Sequence, residues 1–128
     1  MAHTIGEQYG GGIIFYVDET GDHGLICTAE DLGEYNWSDA IKACAELELN
    51  GYKDWHLPTI TELNLMYQQK NTIGKYKSGY FYQYWSSSEN LHNDKFAWLQ
   101  DFSNGRYYVY KDGDYKASKA RVRAIRAF

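Results

Sequence analysis

Every apolar run in this chain is short and is closed by a turn signal, and that punctuation limits what the chain can fold into. Ile13 to Val17 (IIFYV) follows three consecutive glycines, and Leu25 to Thr28 (LICT) lies beyond the polar connection DETGDHG. Two β-branched and aromatic runs joined in this way predict a hairpin. Twelve Gly against a single Pro, with many short polar clusters, describe a turn-rich fold in which strands outnumber helices. Long helical bundles are excluded, and no apolar run approaches the ~18 residues of a membrane-spanning helix. With 128 residues there is room for one domain with a real core, spanning residues 1–128.

Only two stretches hold a helical period. Ser38 to Leu49 places Ile41, Cys44, Ala45 and Leu47 to Leu49 among polar residues, with Ser38 able to cap its start and Asn50-Gly51 able to end it in a left-handed turn. Thr59-x-x-Glu62 is a capping box, after which Ile60, Leu63, Met66 and Tyr67 share one face, predicting a second helix from Ile60 to about Gln69. Residues 71–93 show no stable periodicity and read as a long loop, a candidate functional surface. Phe96 to Phe102 then alternates as a half-buried strand. Arg106 to Lys111 is its partner after Ser103-Asn104-Gly105, Asp112-Gly113 signals another hairpin turn, and Arg121 to Phe128 is a final strand. Strands, then helices, then antiparallel strands predict an α+β fold and disfavour a doubly wound parallel one.

Charge and aromatics divide along the chain. Residues 1–74 carry three Lys/Arg and twelve Asp/Glu, a net of −9, whereas residues 75–128 carry ten and five, a net of +5. Such halves can neutralise one another in the fold, or the second can offer a basic face to an anionic ligand. Eight of the 13 Tyr lie in residues 75–128, and Tyr supplies a large contact area with a hydrogen-bonding tip at low rotamer cost. On Arg106 to Lys111, alternation puts Arg106, Tyr108 and Tyr110 on one face and Tyr107 and Val109 on the other, and the first set is expected to be the presented one. Trp37, Trp55, Trp85 and Trp98 sit amid apolar neighbours and are assigned to the core, with their indole N–H groups bonded internally.

Catalytic and metal signatures are missing. Ser86, Ser87 and Ser88 lack a nucleophile elbow, and the scattered His3, His23, His56 and His92 lack metal-ligand spacing. The Asp18, Glu19, Asp22 and His23 turn departs from a calcium loop. Cys27 and Cys44 match no zinc or redox motif and leave buried thiols or one bridge equally open. The expectation is therefore a non-enzyme with no cofactor and no metal site. An acidic chain with no nucleic-acid module is not expected to bind nucleic acid, nor to insert into membranes. The opening MAHTIGEQYGGG lacks the pattern of a secretory signal, so the chain either starts in the cytoplasm or has lost a leader.

The succession GGGIIFYVDETGDHG, Trp37, GYKDWHLPTITEL, YWSSSE, AWLQDFSNG and VRAIRAF resembles the Lcl C-terminal domain family of C-type-lectin-like modules, over nearly the whole chain. The resemblance implies a C-type-lectin-like fold with two helices and a twisted antiparallel sheet, and ligand binding or adhesion at a cell or virion surface. A second resemblance, to target proteins of diversity-generating retroelements, implies a fixed scaffold with a variable C-terminal region and possible trimeric display. In that scheme Leu91, His92, Asp94, Leu99, Asp101, Arg106, Tyr108, Tyr110, Asp112, Asp114 and Tyr115 are the ligand-binding candidates. The alternative reading is an adhesin that holds an anionic polysaccharide through Lys75, Lys77, Lys95, Arg106, Lys111, Lys116 and Lys119. Arg121, Arg123 and Arg126, alternating with apolar residues, are expected to form structural pairs with carboxylates such as Glu62 or Glu89. The Glu-Pro-Asn-like motif of calcium-dependent sugar binding is missing, since Pro58 is the only proline.

Overall fold

The computed structural model describes residues 2–74, 83–90, 93–109 and 119–128. Two sheets and two principal helices make an α+β fold. Strands β1 (Gln8–Tyr9), β2 (Gly12–Val17), β3 (Gly24–Cys27) and β9 (Ile125–Ala127) form the first sheet in the order β1-β2-β3-β9. Strands β4 (Gly33–Tyr35), β5 (Gln83–Asn90), β6 (Asn93–Asp101), β7 (Tyr107–Val109) and β8 (Ala120–Val122) form the second, in the order β4-β8-β5-β6-β7. All pairings are antiparallel except β5 with β8.

The expected hairpin is present as β2 and β3, with Ile13 opposite Cys27 and a bulge between Ile14 and Tyr16. Asp18 organises its turn, its Oδ1 accepting from the Thr20 and Gly21 amides at 3.0 and 3.1 Å. Strand β1, not expected from the sequence, joins β2 through Gly10-Gly11, both at positive φ (63° and 94°). A two-residue hairpin loop requires that conformation, and glycine adopts it without a Cβ penalty.

The run IIFYV is continuous rather than alternating because its sheet is covered on both faces. Ile14 and Ile26 point into one cluster with Ala40, Cys44, Trp55, Leu57, Trp85, Leu99 and Val122. Ile13, Phe15 and Cys27 point into the other with Leu63, Met66, Tyr84, Phe102 and Ile125. Helix α1 (Trp37–Ala45) seals the first cluster through Ala40 and Cys44. Helix α2 (Ile60–Gln68) seals the second through Leu63 and Met66.

Local chemistry corrects several boundaries. Asn36, not Ser38, caps α1, its Oδ1 accepting from the Asp39 amide at 2.8 Å. The helix stops at Ala45. Asn50 and Gly51, at φ 55° and 87°, instead close a tight turn in which Leu49 and Tyr52 exchange N–H···O bonds of 3.1 and 3.0 Å. The capping box on α2 is formed as expected, with Thr59 N to Glu62 Oε1 at 2.9 Å and Glu62 N to Thr59 Oγ1 at 3.2 Å.

The expected loop from Asn71 to Asn93 contains most of a short helix α3 (Lys70–Ile73) and the whole of β5. The three serines of β5 are hydrogen-bonding struts. Ser86 Oγ donates to the Trp98 carbonyl at 2.7 Å, Ser87 N to the Pro58 carbonyl at 2.7 Å, and Ser88 Oγ accepts from the first α2 amide, Ile60 N, at 2.9 Å. Cys27 and Cys44 are both buried free thiols. Burial pushes their pKa values up to about 11 and about 12, so neither is a nucleophile near neutral pH.

The final strand is two. Val122 belongs to the second sheet and Ile125 to the first, and Arg123 lies at the crossing with 2% exposure. Its Nε donates to Asp31 Oδ1 at 2.9 Å and its Nη2 to the Gly74 carbonyl at 2.9 Å. Tyr84 donates its hydroxyl to the same Asp31 oxygen at 2.7 Å. Arg121 approaches Asp31 at 3.8 Å and Glu34 at 3.6 Å. Arg126 pairs with Asp54 at 2.7 Å and lies 3.8 Å above the Tyr52 ring. All three arginines thus take structural partners, but from the acidic first half of the chain. Glu62 is committed to its helix cap, and Asp31, Glu34 and Asp54 are the carboxylates that face the crossing. Opposite charge in the two halves is, at these positions, internal neutralisation.

Candidate functional site

Helix α2 starts against the second sheet because Ser88 and Thr59 hold its first turn. Its exposed flank then runs beside the β6–β7 edge. Between them lies a groove of about 290 Å³ lined by Ile60, Thr61, Asn64, Trp98 and Tyr107. Trp98 and Tyr107 meet edge to face, with centroids 6.5 Å apart and planes at 86°, the arrangement the aromatic quadrupole favours. Tyr107 is 47% exposed and Trp98 half-buried. No charged side chain occurs among the described lining residues.

Below the groove, the sheet row from Tyr84 through Gln100 to Tyr107 is in register. Gln100 is fully buried, and its Nε2 donates to Asn64 Oδ1 at 2.8 Å and to the Gly105 carbonyl at 3.1 Å. Its Oε1 is buried without a partner. The turn feeding β7 is built by Asp101, whose Oδ1 accepts from Ser103 N at 2.7 Å and from the Ser103 hydroxyl, while Asp101 N donates to the Arg106 carbonyl at 2.9 Å.

These positions redistribute the expected ligand contacts. Leu91, His92, Tyr110, Asp112, Asp114 and Tyr115 lie outside the described residues, as do Lys75, Lys77, Lys111 and Lys116. Asp94, Lys95 and Tyr108 fall in β6 and β7, where the backbone register alone is described, with Tyr108 opposite Leu99. Arg106 and Lys119 are exposed. Leu99 is a correction: at 1% exposure it packs in the core with Trp85 and Ala97 and has no surface to offer a ligand. The carboxylate of Asp101 is engaged in its own turn. Tyr107, expected on the buried face, is exposed: among the described residues β7 is the edge strand, and the groove opens between it and α2.

Trp98, expected in the core, is a groove wall. Trp37 and Trp85 do bond internally, to the Ser86 carbonyl at 2.9 Å and the Tyr35 carbonyl at 2.7 Å, whereas Trp55 Nε1 is buried with no partner. The α2 contribution of Ile60, Thr61 and Asn64 was also missed. The spacing of Thr61 and Asn64, three apart and off the Leu63–Met66 face, is the signal that marks them as neighbours on one flank.

The profile of the Lcl C-terminal domain matches residues 19–126. The chain belongs to the Lcl C-terminal domain family. That match takes in α2, β5, β6, β7 and the crossing at Arg123, and so every described residue of the groove in this Lcl C-terminal domain. No curated protein matches the chain. Among the described residues, no group of three His, Cys, Asp or Glu could hold a metal ion, and no helix is long and apolar enough to cross a membrane.

Proposed function

We propose that this Lcl C-terminal domain is a ligand- or receptor-binding display module of C-type-lectin-like fold, and not an enzyme, whose recognition surface includes the groove between α2 and the β6–β7 edge. The observation that carries this reading is the Trp98–Tyr107 pair, two perpendicular rings left open at the surface beside polar α2 side chains. Exposed aromatics next to hydrogen-bonding groups are the usual anchors of recognition surfaces. Among the described lining residues none is a cation, whereas an anionic-polysaccharide adhesin needs cations at the contact.

The finer reading is a target that varies, with the C-terminal region diversified by a retroelement on a fixed scaffold. Arg106 and Tyr108, on or beside β7, are then variable positions, while Leu99 is scaffold. A near-copy of the DNA encoding Trp85 to Phe128, differing only where the copy carries adenine and lying beside a reverse-transcriptase gene, is the expected genomic signature; its absence removes diversification from the reading.

The binding role is tested by presenting the wild-type domain, Tyr107→Ala and Tyr16→Ala to a printed array of glycans and cell-surface receptor ectodomains. Tyr16 is the control, an aromatic exposed at 38% on the other sheet. Signals that vanish with Tyr107→Ala and survive Tyr16→Ala are expected. Equal signals from all three proteins would place recognition elsewhere.

A further inference from the structure

We infer that Gln100 is a positioning residue that holds Asn64 as a fixed hydrogen-bond donor on the groove wall, and that the groove is thereby matched to a neutral saccharide ring carrying an acceptor oxygen. The inference rests on the groove being the recognition site, as proposed above.

The orientation of both amides follows from one backbone atom. The end of the Gln100 side chain lying 3.1 Å from the Gly105 carbonyl must be the NH₂, since two oxygens do not approach so closely without a proton between them. The same nitrogen lies 2.8 Å from Asn64, so the Asn64 atom facing it is the oxygen. Asn64 Nδ2 is then the end of the amide that Gln100 does not use, on a residue that lines the groove. The arrangement leaves Gln100 Oε1 buried and unpaired, an unfavourable state that an apolar side chain of similar size would avoid. Half of this buried amide is therefore idle, and the half in use orients Asn64.

The groove thus presents two ring faces at a right angle, a donor at Asn64 and a hydroxyl at Thr61, with no charge among its described lining residues. Among these described residues no cation is present to offset the desolvation of a sulfate or carboxylate. A purely aliphatic ligand would strand the Asn64 donor. A pyranose has C–H faces to lay on the indole and phenol rings and edge oxygens to accept from Nδ2. The volume of about 290 Å³ lies at the small end of ligand sites and suits one or two rings rather than a folded partner surface.

The test is a ¹⁵N–¹H titration with N,N′-diacetylchitobiose, cellobiose and maltose, and with a sulfated disaccharide as comparator. At least one neutral probe is expected to move the Asn64 side-chain amide and Trp98 indole signals. Asn64→Asp keeps the oxygen that accepts from Gln100 but puts a second oxygen in place of the donor, and should weaken that probe by about tenfold. Gln100→Met should leave the backbone spectrum intact while the Asn64 side-chain heteronuclear NOE falls and affinity drops, a combination that a merely structural role does not produce. Unchanged affinity in Asn64→Asp alongside lost binding in Tyr107→Ala would overturn the donor assignment and leave the groove standing. Failure of every neutral probe to move groove signals, or a stronger response to the sulfated disaccharide, would overturn the saccharide class. In that case array signals sensitive to Tyr107→Ala still uphold the groove, and insensitive ones remove it as well.

Discussion

Replacing Arg123 by methionine should be among the most damaging single changes in this domain. The guanidinium is buried, with its side chain 1% exposed, and Asp31 beside it is only 10% exposed. Removing the cation leaves Asp31 with the Tyr84 hydroxyl at 2.7 Å and Arg121 at 3.8 Å, a distance too long for a hydrogen bond. It also strips the Gly74 carbonyl of its 2.9 Å donor. Removing one member of a buried pair costs about 3–5 kcal/mol, against a total stability of about 5–15 kcal/mol for an ordinary domain. For 128 residues that loss corresponds to a fall in Tm of roughly 10–20 °C. Urea denaturation of wild type, Arg123→Met, Asp31→Leu and the double variant is the assay. The double variant removes both charges and should recover a large part of the loss, giving a coupling of at least about 2 kcal/mol. A loss below about 1 kcal/mol in Arg123→Met, or additive single losses, would refute the view that this pair locks the crossing between the sheets.

Three further outcomes are expected. Thr59→Ala removes one arm of the α2 capping box and should cost about 1 kcal/mol in urea denaturation, and because α2 walls the groove, binding should weaken with it. Cys27 and Cys44, with thiol pKa values pushed up to about 11 and about 12 by burial, should not react with a chromogenic disulfide reagent at pH 8 until denaturant is added, when two thiols per chain appear; rapid reaction of the native protein would contradict the packing. Asp54 is held below the ordinary carboxylate range chiefly by its hydrogen bond from Arg126, so the contribution of this pair is present above about pH 4 and lost as the pH falls through the folded value. With Asp54 58% exposed, solvent screening limits that contribution to about 1 kcal/mol or less; the Tm difference between wild type and Asp54→Asn should be visible at pH 7 and closed near pH 2.

What the sequence made legible was local. The capping box at Thr59 and Glu62, the hairpin of β2 and β3 and the apolar face of α2 are written within a few residues of one another, and each formed where the pattern placed it. The structural use of Arg121, Arg123 and Arg126 was also readable, because charges alternating with apolar residues must find partners. Their identities were not: Asp31 lies 92 positions from Arg123, and no local pattern encodes that pairing. Strand β5 was hidden because Ser86, Ser87 and Ser88 have neither β-branching nor alternation, and their place in the sheet is set by neighbours such as Trp98 and Pro58. The groove was misjudged for a related reason. Whether Trp98 and Tyr107 face a core or an opening depends on how far α2 extends over the sheet, and that is a tertiary fact.

The crossing at Arg123 also dictates an order of assembly. Strand β8 lies between β4 and β5, and β9 completes the sheet of β1, β2 and β3, so one stretch of eight residues, Ala120 to Ala127, splices two sheets laid down much earlier in the chain. Until it arrives, β4 lacks the strand that joins it to β5. Contacts of such long sequence separation close late and slowly. During synthesis the two sheets should therefore persist as incomplete, exposed edges until residues 120–127 leave the ribosome, and a chain halted at residue 118 should be handled by the cell as an unfolded protein rather than as a shortened domain.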